Sequence, residues 1–232
     1  MKLIENCLLY GIVDIGYVPE QNIGIITKQL VAGGIDILQL RAKGYLKSRI
    51  VSLALTMLPI TKSAGVPLIV NDYPDLLREV DADGCHVGQE DFSVAEARDL
   101  AARNCIVGKS THSLEQAELA QQEGADYVGF GPLFPTATKP SAAAVGLDQL
   151  GLLHQRINLP IFCIGGVKLG NLSEIIRAGA ERVCIVSDLL CASDVPAHTA
   201  AVKAALAMSP VHRNNMLRMY YVKKGQDRRT PD

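Results

Sequence analysis

Residues 123–139 read Glu123-Gly124-Ala125-Asp126-Tyr127-Val128-Gly129-Phe130-Gly131-Pro132-Leu133-Phe134-Pro135-Thr136-Ala137-Thr138-Lys139, and they hold one full cycle of a pattern that runs along the chain. A joint with glycine second and an acid fourth feeds an apolar, β-rich run. The run stops at Gly-Pro, because proline has no N–H to give a sheet. The loop beyond it carries two hydroxyls and one ammonium (Thr136, Thr138, Lys139) and no acid, a composition suited to an anion, above all phosphate. The same joint recurs as Gly33-Gly34-Ile35-Asp36 and as Ala178-Gly179-Ala180-Glu181. Glycine closing a helix and leading into a strand is the expected helix-to-strand connection.

Working outward, strand-like runs stand at Leu8–Val13, Ile35–Leu40, Pro67–Val70, Gly84–Val87, Ile106–Gly108, Tyr127–Phe130, Pro160–Ile164 and Arg182–Val186. Helix-period apolar residues fill the intervals, for example Val94, Ala97, Leu100 and Ala101, or Leu114, Ala117 and Ala120. Strands alternating with helices imply a parallel sheet. Eight units in a chain of 232 residues predict an α/β protein folded as a single (β/α)8 TIM barrel. An open doubly wound sheet is disfavoured, because Gly11-Ile12-Val13-Asp14-Ile15-Gly16 does not fit a dinucleotide fingerprint. One catalytic domain is expected over 1–208. Residues 209–232 hold six Lys/Arg and two acids, with an apolar stretch at 216–222. They are either a mobile basic tail or a segment packed on the barrel or on a second copy of the chain, so a homo-oligomer is left open.

Composition narrows the function. The chain is 48% hydrophobic, enough for a sizeable core, and its net charge of −1 argues against bulk nucleic-acid binding. No apolar run approaches the ~20 residues that span a bilayer, and the N-terminus lacks a signal-peptide pattern, so no membrane partner is expected. Six cysteines include no C-x-x-C pair, which makes zinc an unlikely ligand and suits buried free thiols in a reducing cytoplasm.

In a barrel the polar residues just past each strand face the active-site mouth. Here they are Gln39, Arg41 and Lys43 after the second strand, Asn71 and Asp72 after the third, and Gln89, Glu90 and Asp91 after the fourth. Lys109, Ser110, Thr111 and His112 follow the fifth, the Thr-rich loop the sixth, Gly165-Gly166 the seventh, and Ser187 the eighth. Arg41 and Lys43, two apart on an extended segment, can point the same way and bind phosphate, or they are surface cations. Asp72 and Asp91, brought together, would repel unless a cation intervened, and Mg2+ takes one or two carboxylates plus phosphate oxygens. The structural alternative for both is a helix cap before Pro74 or before Phe92-Ser93. Gly165-Gly166 is a backbone site for monophosphate or a plain tight turn. His112 is either an acid–base group near neutral pH or, the favoured reading, a residue at a helix start with no chemical role; His86 is expected in the core or behind the site, and His154, His198 and His212 on the surface. Two anion sites result. One is cationic and metal-assisted, fit for a diphosphate. The other is neutral, around Thr136, Thr138, Gly166 and Ser187, and fit for a monophosphate.

These residues resemble a known family. Gln-Leu-Arg-Ala-Lys (39–43), Val-Asn-Asp (70–72), Gly-Cys-His-Val-Gly-Gln-Glu-Asp (84–91), Val-Gly-Lys-Ser-Thr-His (107–112), Gly-Pro-Leu-Phe-Pro-Thr-Ala-Thr-Lys (131–139), Ile-Gly-Gly (164–166) and Val-Ser (186–187) are similar, in order, to the motifs of thiamine phosphate synthases. The resemblance covers roughly residues 8–207. It implies a (β/α)8 enzyme that condenses 4-amino-2-methyl-5-pyrimidinylmethyl diphosphate with 4-methyl-5-(2-phosphoethyl)thiazole, giving thiamine phosphate and pyrophosphate by Mg-assisted dissociative displacement. It assigns Gln39, Arg41, Lys43, Asn71, Ser110 and Lys139 to the pyrimidine diphosphate, with Arg41, Lys43, Ser110 and Lys139 acting in catalysis. It assigns Asp72 and Asp91 to Mg2+, and Thr136, Thr138, Gly166, Val186 and Ser187 to the thiazole phosphate. Residue 42 is Ala where relatives often carry a larger side chain, and 141–145 is plainer than the family's proline-containing stretch. A thiazole tautomerase-like isomerase of the same barrel would lack the carboxylate after the fourth strand and the full Thr-x-Thr-Lys loop. A non-catalytic ligand-binding barrel would keep the sites and release no pyrophosphate.

Overall fold

The structure, a computed structural model, describes residues 2–136 and 143–208. Thr138 and Lys139 of the Thr-rich loop lie outside the described residues, as does the expected basic tail at 209–232. The chain runs β1 (Leu9–Asp14), α1 (Ile23–Ala32), β2 (Ile37–Arg41), α2 (Lys47–Ala64), β3 (Leu68–Asn71), β4 (Gly84–Val87), α3 (Val94–Ala101) and β5 (Ile106–Thr111). It continues through α4 (Leu114–Gln122), β6 (Tyr127–Phe130), α5 (Leu150–Arg156), β7 (Ile161–Ile164), α6 (Leu172–Arg177), β8 (Arg182–Ile185), α7 (Ser187–Leu190) and α8 (Val195–Ala207). Each strand pairs in parallel with the next and β8 pairs with β1, so the sheet closes into the expected (β/α)8 barrel. No helix among the described residues is long and apolar enough to cross a membrane.

Two of the three joint acids, Asp36 and Asp126, share a structural role with Asp83 before β4. Asp36, just before β2, accepts the Leu8 and Leu9 N–H groups with one carboxylate oxygen, at 2.8 and 2.9 Å. Asp83, before β4, accepts Leu68 N–H at 2.8 Å, and Asp126, before β6, accepts Val107 N–H at 2.7 Å. Each acid thus takes the N–H at the start of the preceding odd-numbered strand, a donor that would otherwise meet no partner at the barrel's base. Asp36 is further gripped by Lys2 and by Lys203 of α8.

Two details differ from the sequence expectation. Between β3 and β4 there is a 3-10 turn over Pro74–Arg78 instead of an α-helix. The link is short, with twelve residues between Asn71 and Gly84, and it opens with Asp72 at φ 63°. Strand β5 runs on to Thr111, so Lys109 and Ser110 belong to the strand and do not follow it. Helix α3 starts where its capping chemistry is complete. Ser93 accepts Glu96 N–H through its side chain, and Glu96 reaches back to Ser93 N–H.

The core divides in two. A large apolar layer lies between strands and helices, while a second cluster fills the barrel interior: Ile4, Cys7, Tyr10, Ile12, Ile37, Ile69, Tyr127, Phe162 and Cys184. Three aromatic rings form its upper layer. Phe162 stands edge-on to Tyr10 and to Tyr127, with centroids 5.3 and 5.5 Å apart. Space for the Tyr127 ring comes from Gly108 on the next strand, where a Cβ would lie 2.1 Å from the Tyr127 ring carbon Cζ.

Candidate active site

Above this aromatic layer the barrel opens into a cavity of about 1020 Å³ including its mouth. Its wall follows the strand period of two. Tyr10 and Ile12 come from β1, Gln39 and Arg41 from β2, Asn71 from β3 and His86 from β4. Ser110 and His112, Tyr127 and Gly129, Phe162 and Ile164, and Cys184 and Val186 come from the remaining strands and the residues just past them. Gly165, Gly166, Thr136, Lys168 and Ser187 complete the rim.

On the β2–β4 side the polar groups are coupled. Arg41 forms an ion pair with the buried Asp14, whose other oxygen accepts Gly16 N–H at 2.8 Å, so the guanidinium is held in place. Asp72 and Asp91 are electrostatic neighbours. Burial, and then the charge of Asp91, push the Asp72 carboxyl above its usual range, while Lys43 and Arg41 pull it down. All four residues therefore share one electrostatic neighbourhood, although Lys43 sits exposed in the turn after β2 and not on an extended segment with Arg41. Neither acid is a helix cap. Tyr73 occupies the cap position before the 3-10 turn, Ser93 caps α3, and Asp91 instead accepts Gly88 N–H at 2.7 Å. Lys109 is spent on the loop that carries Asp91, donating to the Gly88 and Phe92 carbonyls at 2.9 and 2.7 Å.

Among the described residues no three His, Cys, Asp or Glu side chains assemble to hold a metal. The Asp72–Asp91 pair nevertheless fits a hard divalent cation. Two carboxylates raise each other's cost of ionisation, and a small cation that keeps several water or phosphate oxygens asks for only one or two of them from the protein.

Across the mouth, on the β6–β8 side, the loops are built from backbone. Gly165 and Gly166 take φ 93° and 66°, and neither admits a side chain. A Cβ would lie 2.3 Å from Pro132 Cβ at the first and 2.7 Å from Phe134 Cβ at the second. This close approach lets Leu133 N–H and Phe134 N–H donate to the Ile164 and Gly165 carbonyls, at 2.8 and 3.1 Å. Asn171 then holds the Gly166 carbonyl at 2.9 Å, and Asp188 accepts Leu169 N–H at 3.0 Å while meeting His198 at 2.8 Å. Val186 and Ser187 form the entry to α7 beside these glycines.

The structure thus gathers Gln39, Arg41, Asn71, Ser110, Thr136, Gly166, Val186 and Ser187 around one cavity, with Lys43, Asp72 and Asp91 beside it. Several wall residues were not singled out from sequence. Tyr10, Tyr127 and Phe162 lie inside apolar runs and read as core. Lys168 was passed over, although it stands two residues past Gly166 and lines the rim between Gly166 and Ser187. His86 joins the wall with both ring nitrogens hydrogen-bonded. His112 also lines the cavity, one residue before the α4 cap Ser113. Its Nδ1 meets the Gly131 carbonyl and so carries a proton, because a carbonyl can only accept. Of the three histidines expected on the surface, His154 is partly buried, with a pKa lowered by desolvation, and His198 pairs with Asp188. His212 lies outside the described residues.

Comparison with known proteins points one way. The model of the thiamine monophosphate synthase family matches residues 9–189. A thiamine-phosphate synthase of Chloroflexus aurantiacus is 40% identical over 89% of this chain and 95% of its own length. One from Shouchella clausii is 37% identical over 85% and 95%. A solved thiamine phosphate pyrophosphorylase from Pyrococcus furiosus superposes with a TM-score of 0.80 at 29% identity, covering 88% of this chain and 97% of that one.

Proposed function

The chain belongs to the thiamine monophosphate synthase family and is an enzyme, a transferase, and we propose that it condenses a pyrimidinylmethyl diphosphate with thiazole phosphate to give thiamine phosphate and pyrophosphate. The observation that supports this reading is the opposition of two unlike groups of residues across the mouth. In a closed eight-stranded barrel β3 and β4 stand opposite β7 and β8. A diphosphate held near Asp72, Asp91, Arg41 and Lys43 therefore faces a monophosphate held at Gly166 and Ser187. The two rings are left in the cavity between them.

The chain's own groups account for the chemistry in outline. Arg41, fixed by Asp14, and Lys43 offset charge on the departing diphosphate, and in this reading Lys139 does the same. Gln39, Asn71 and Ser110 orient the aminopyrimidine against the aromatic layer, and the apolar wall of Ile12, Phe162 and Ile164 limits water around the developing benzylic cation. Thr136, Thr138, Gly166, Val186 and Ser187 present the thiazole so that its nitrogen meets that carbon, which is catalysis by positioning. Mg2+, held by Asp72 and Asp91, would supply further charge neutralisation at the leaving group. No protein nucleophile is required. Six free thiols, five of them buried, suit a reducing compartment such as the cytoplasm.

The test is pyrophosphate release on mixing the two substrates, with Mg2+ and with chelator. Release that needs both substrates and the metal supports the whole reading. Release unaffected by chelator removes the metal from it. Binding of both ligands without release would make the chain a non-catalytic barrel.

A further inference from the structure

A chain of buried hydrogen bonds crosses the barrel just under the cavity. Gln39 Nε2 lies 2.8 Å from the Tyr10 hydroxyl, which lies 2.9 Å from the Tyr127 hydroxyl. That hydroxyl is 3.0 Å from His86 Nδ1, and His86 Nε2 is 2.9 Å from Ser110 Oγ. Five strand residues from β2, β1, β6, β4 and β5 are joined in this way. Gln39, Tyr10 and Tyr127 are at most 2% exposed, so water does not replace a missing partner.

The chain has a direction. A side-chain amide nitrogen can only donate, so the Tyr10 oxygen accepts from Gln39. The buried Tyr10 proton has only the Tyr127 oxygen to accept it, and the Tyr127 proton then has His86 Nδ1, so this sense leaves neither hydroxyl proton unpaired. With Nδ1 occupied as an acceptor, a neutral His86 carries its proton on Nε2 and donates to Ser110 Oγ. Ser110 has accepted, and its own proton is left to point into the cavity that it lines. Burial holds both tyrosine hydroxyls far above their usual titration range, so neither loses its donor near neutral pH.

We propose that Gln39, Tyr10, Tyr127 and His86 form a one-way hydrogen-bond chain that presents Ser110 to the cavity as a donor, with His86 as its positioning residue. The ligand group seated at Ser110 is then an acceptor, a phosphate oxygen or a ring nitrogen. Resting on the synthase reading, this assigns the Ser110 proton to an acceptor atom of the pyrimidine diphosphate.

The experiment has one arm that needs no turnover. In the unliganded full chain, selectively 15N-labelled histidine should show His86 protonated on Nε2 and bare on Nδ1. The opposite tautomer would overturn the proposal. The second arm is kinetic. Tyr127→Phe, which removes one oxygen from the middle of the chain, should lower kcat about tenfold with both KM values within about threefold, and should scramble the His86 tautomer. Adding Ser110→Ala should cost no more than about twofold beyond Ser110→Ala alone, because the two changes break one device. Fully multiplicative losses, or an undisturbed tautomer in Tyr127→Phe, would sink it. If the native chain shows the expected tautomer but no turnover, the synthase reading fails and the hydrogen-bond chain stands.

Discussion

At the residue scale the most informative side chain is Asp72, because its backbone and its charge are both under constraint. Its φ of 63° suits Asn at least as well as Asp, so Asp72→Asn removes the charge without adding backbone strain. The folded-state pKa of Asp72 is raised, so its ionisation works against the fold. That cost is absent below the ordinary carboxyl value of 3.8, grows as pH rises through the interval up to the raised folded value, and is complete above it. Without divalent cations, Asp72→Asn is expected to raise Tm at neutral pH, and the gain should vanish in acid. Millimolar Mg2+ should raise Tm of the native chain and not of the variant. A variant less stable than the native chain at neutral pH without metal would contradict the like-charge account. On the opposite rim, Gly166→Ala should cut kcat/KM for thiazole phosphate by about 10- to 100-fold while leaving pyrimidine diphosphate affinity in place, because the new Cβ displaces the Phe134 loop. Isothermal titration with each substrate separates the two outcomes. The acids, the cations and the glycine pair were legible in the sequence because they break apolar runs just where strands end. Tyr10 and Tyr127 were not, because a polar atom on a ring inside a strand looks like any other large core residue until its neighbours are known, whereas His86 was expected in the core or behind the site and stands there, against Ser110.

At the element scale, register decides which residues of a strand reach the cavity. Short β-rich runs bounded by glycine and acid located all eight strands, yet β5 was read three residues short. Lys109, Ser110 and Thr111 look like a loop by composition, and pairing with β6, joined by β4 at Lys109, keeps them extended. The consequence is chemical. Lys109 cannot serve as a mouth cation while its ammonium holds the Gly88 and Phe92 carbonyls, whereas Ser110, one residue on, faces the cavity. The missing helix after β3 was equally illegible, since Asp75, Leu76 and Leu77 suit either kind of turn. Beside β5's functional residues, Gly108 sets the height of the aromatic layer. Gly108→Ala places a methyl 2.1 Å from Tyr127 Cζ and should destabilise the protein by about 1–3 kcal/mol in urea denaturation, the usual cost of overpacking. A cost under ~0.5 kcal/mol would mean that the ring swings aside freely, and the His86 tautomer would then report where it went.

At the scale of the whole molecule, α8 buries Val195, Thr199, Val202 and Leu206 and ends at Ala207, so the eighth strand already has its helix before residue 209. A chain stopped after Met208 is therefore expected to fold, to keep Tm within about 2 °C, and to keep its turnover. Insolubility of that chain would show that the apolar residues at 216–222 cover part of the barrel. The Asp36 carboxylate, gripped by Lys2 at one end of the described chain and by Lys203 near the other, has a consequence in time as well as in space. Because β1 can pair with β8 only after residues 182–185 have been made, an emerging chain carries an open parallel sheet with two bare margins. At a synthesis rate of about 5–20 residues per second, that interval lasts roughly ten to thirty seconds. During it the Asp36 side chain, already holding two backbone amides, keeps a place for a lysine that the ribosome has not yet reached.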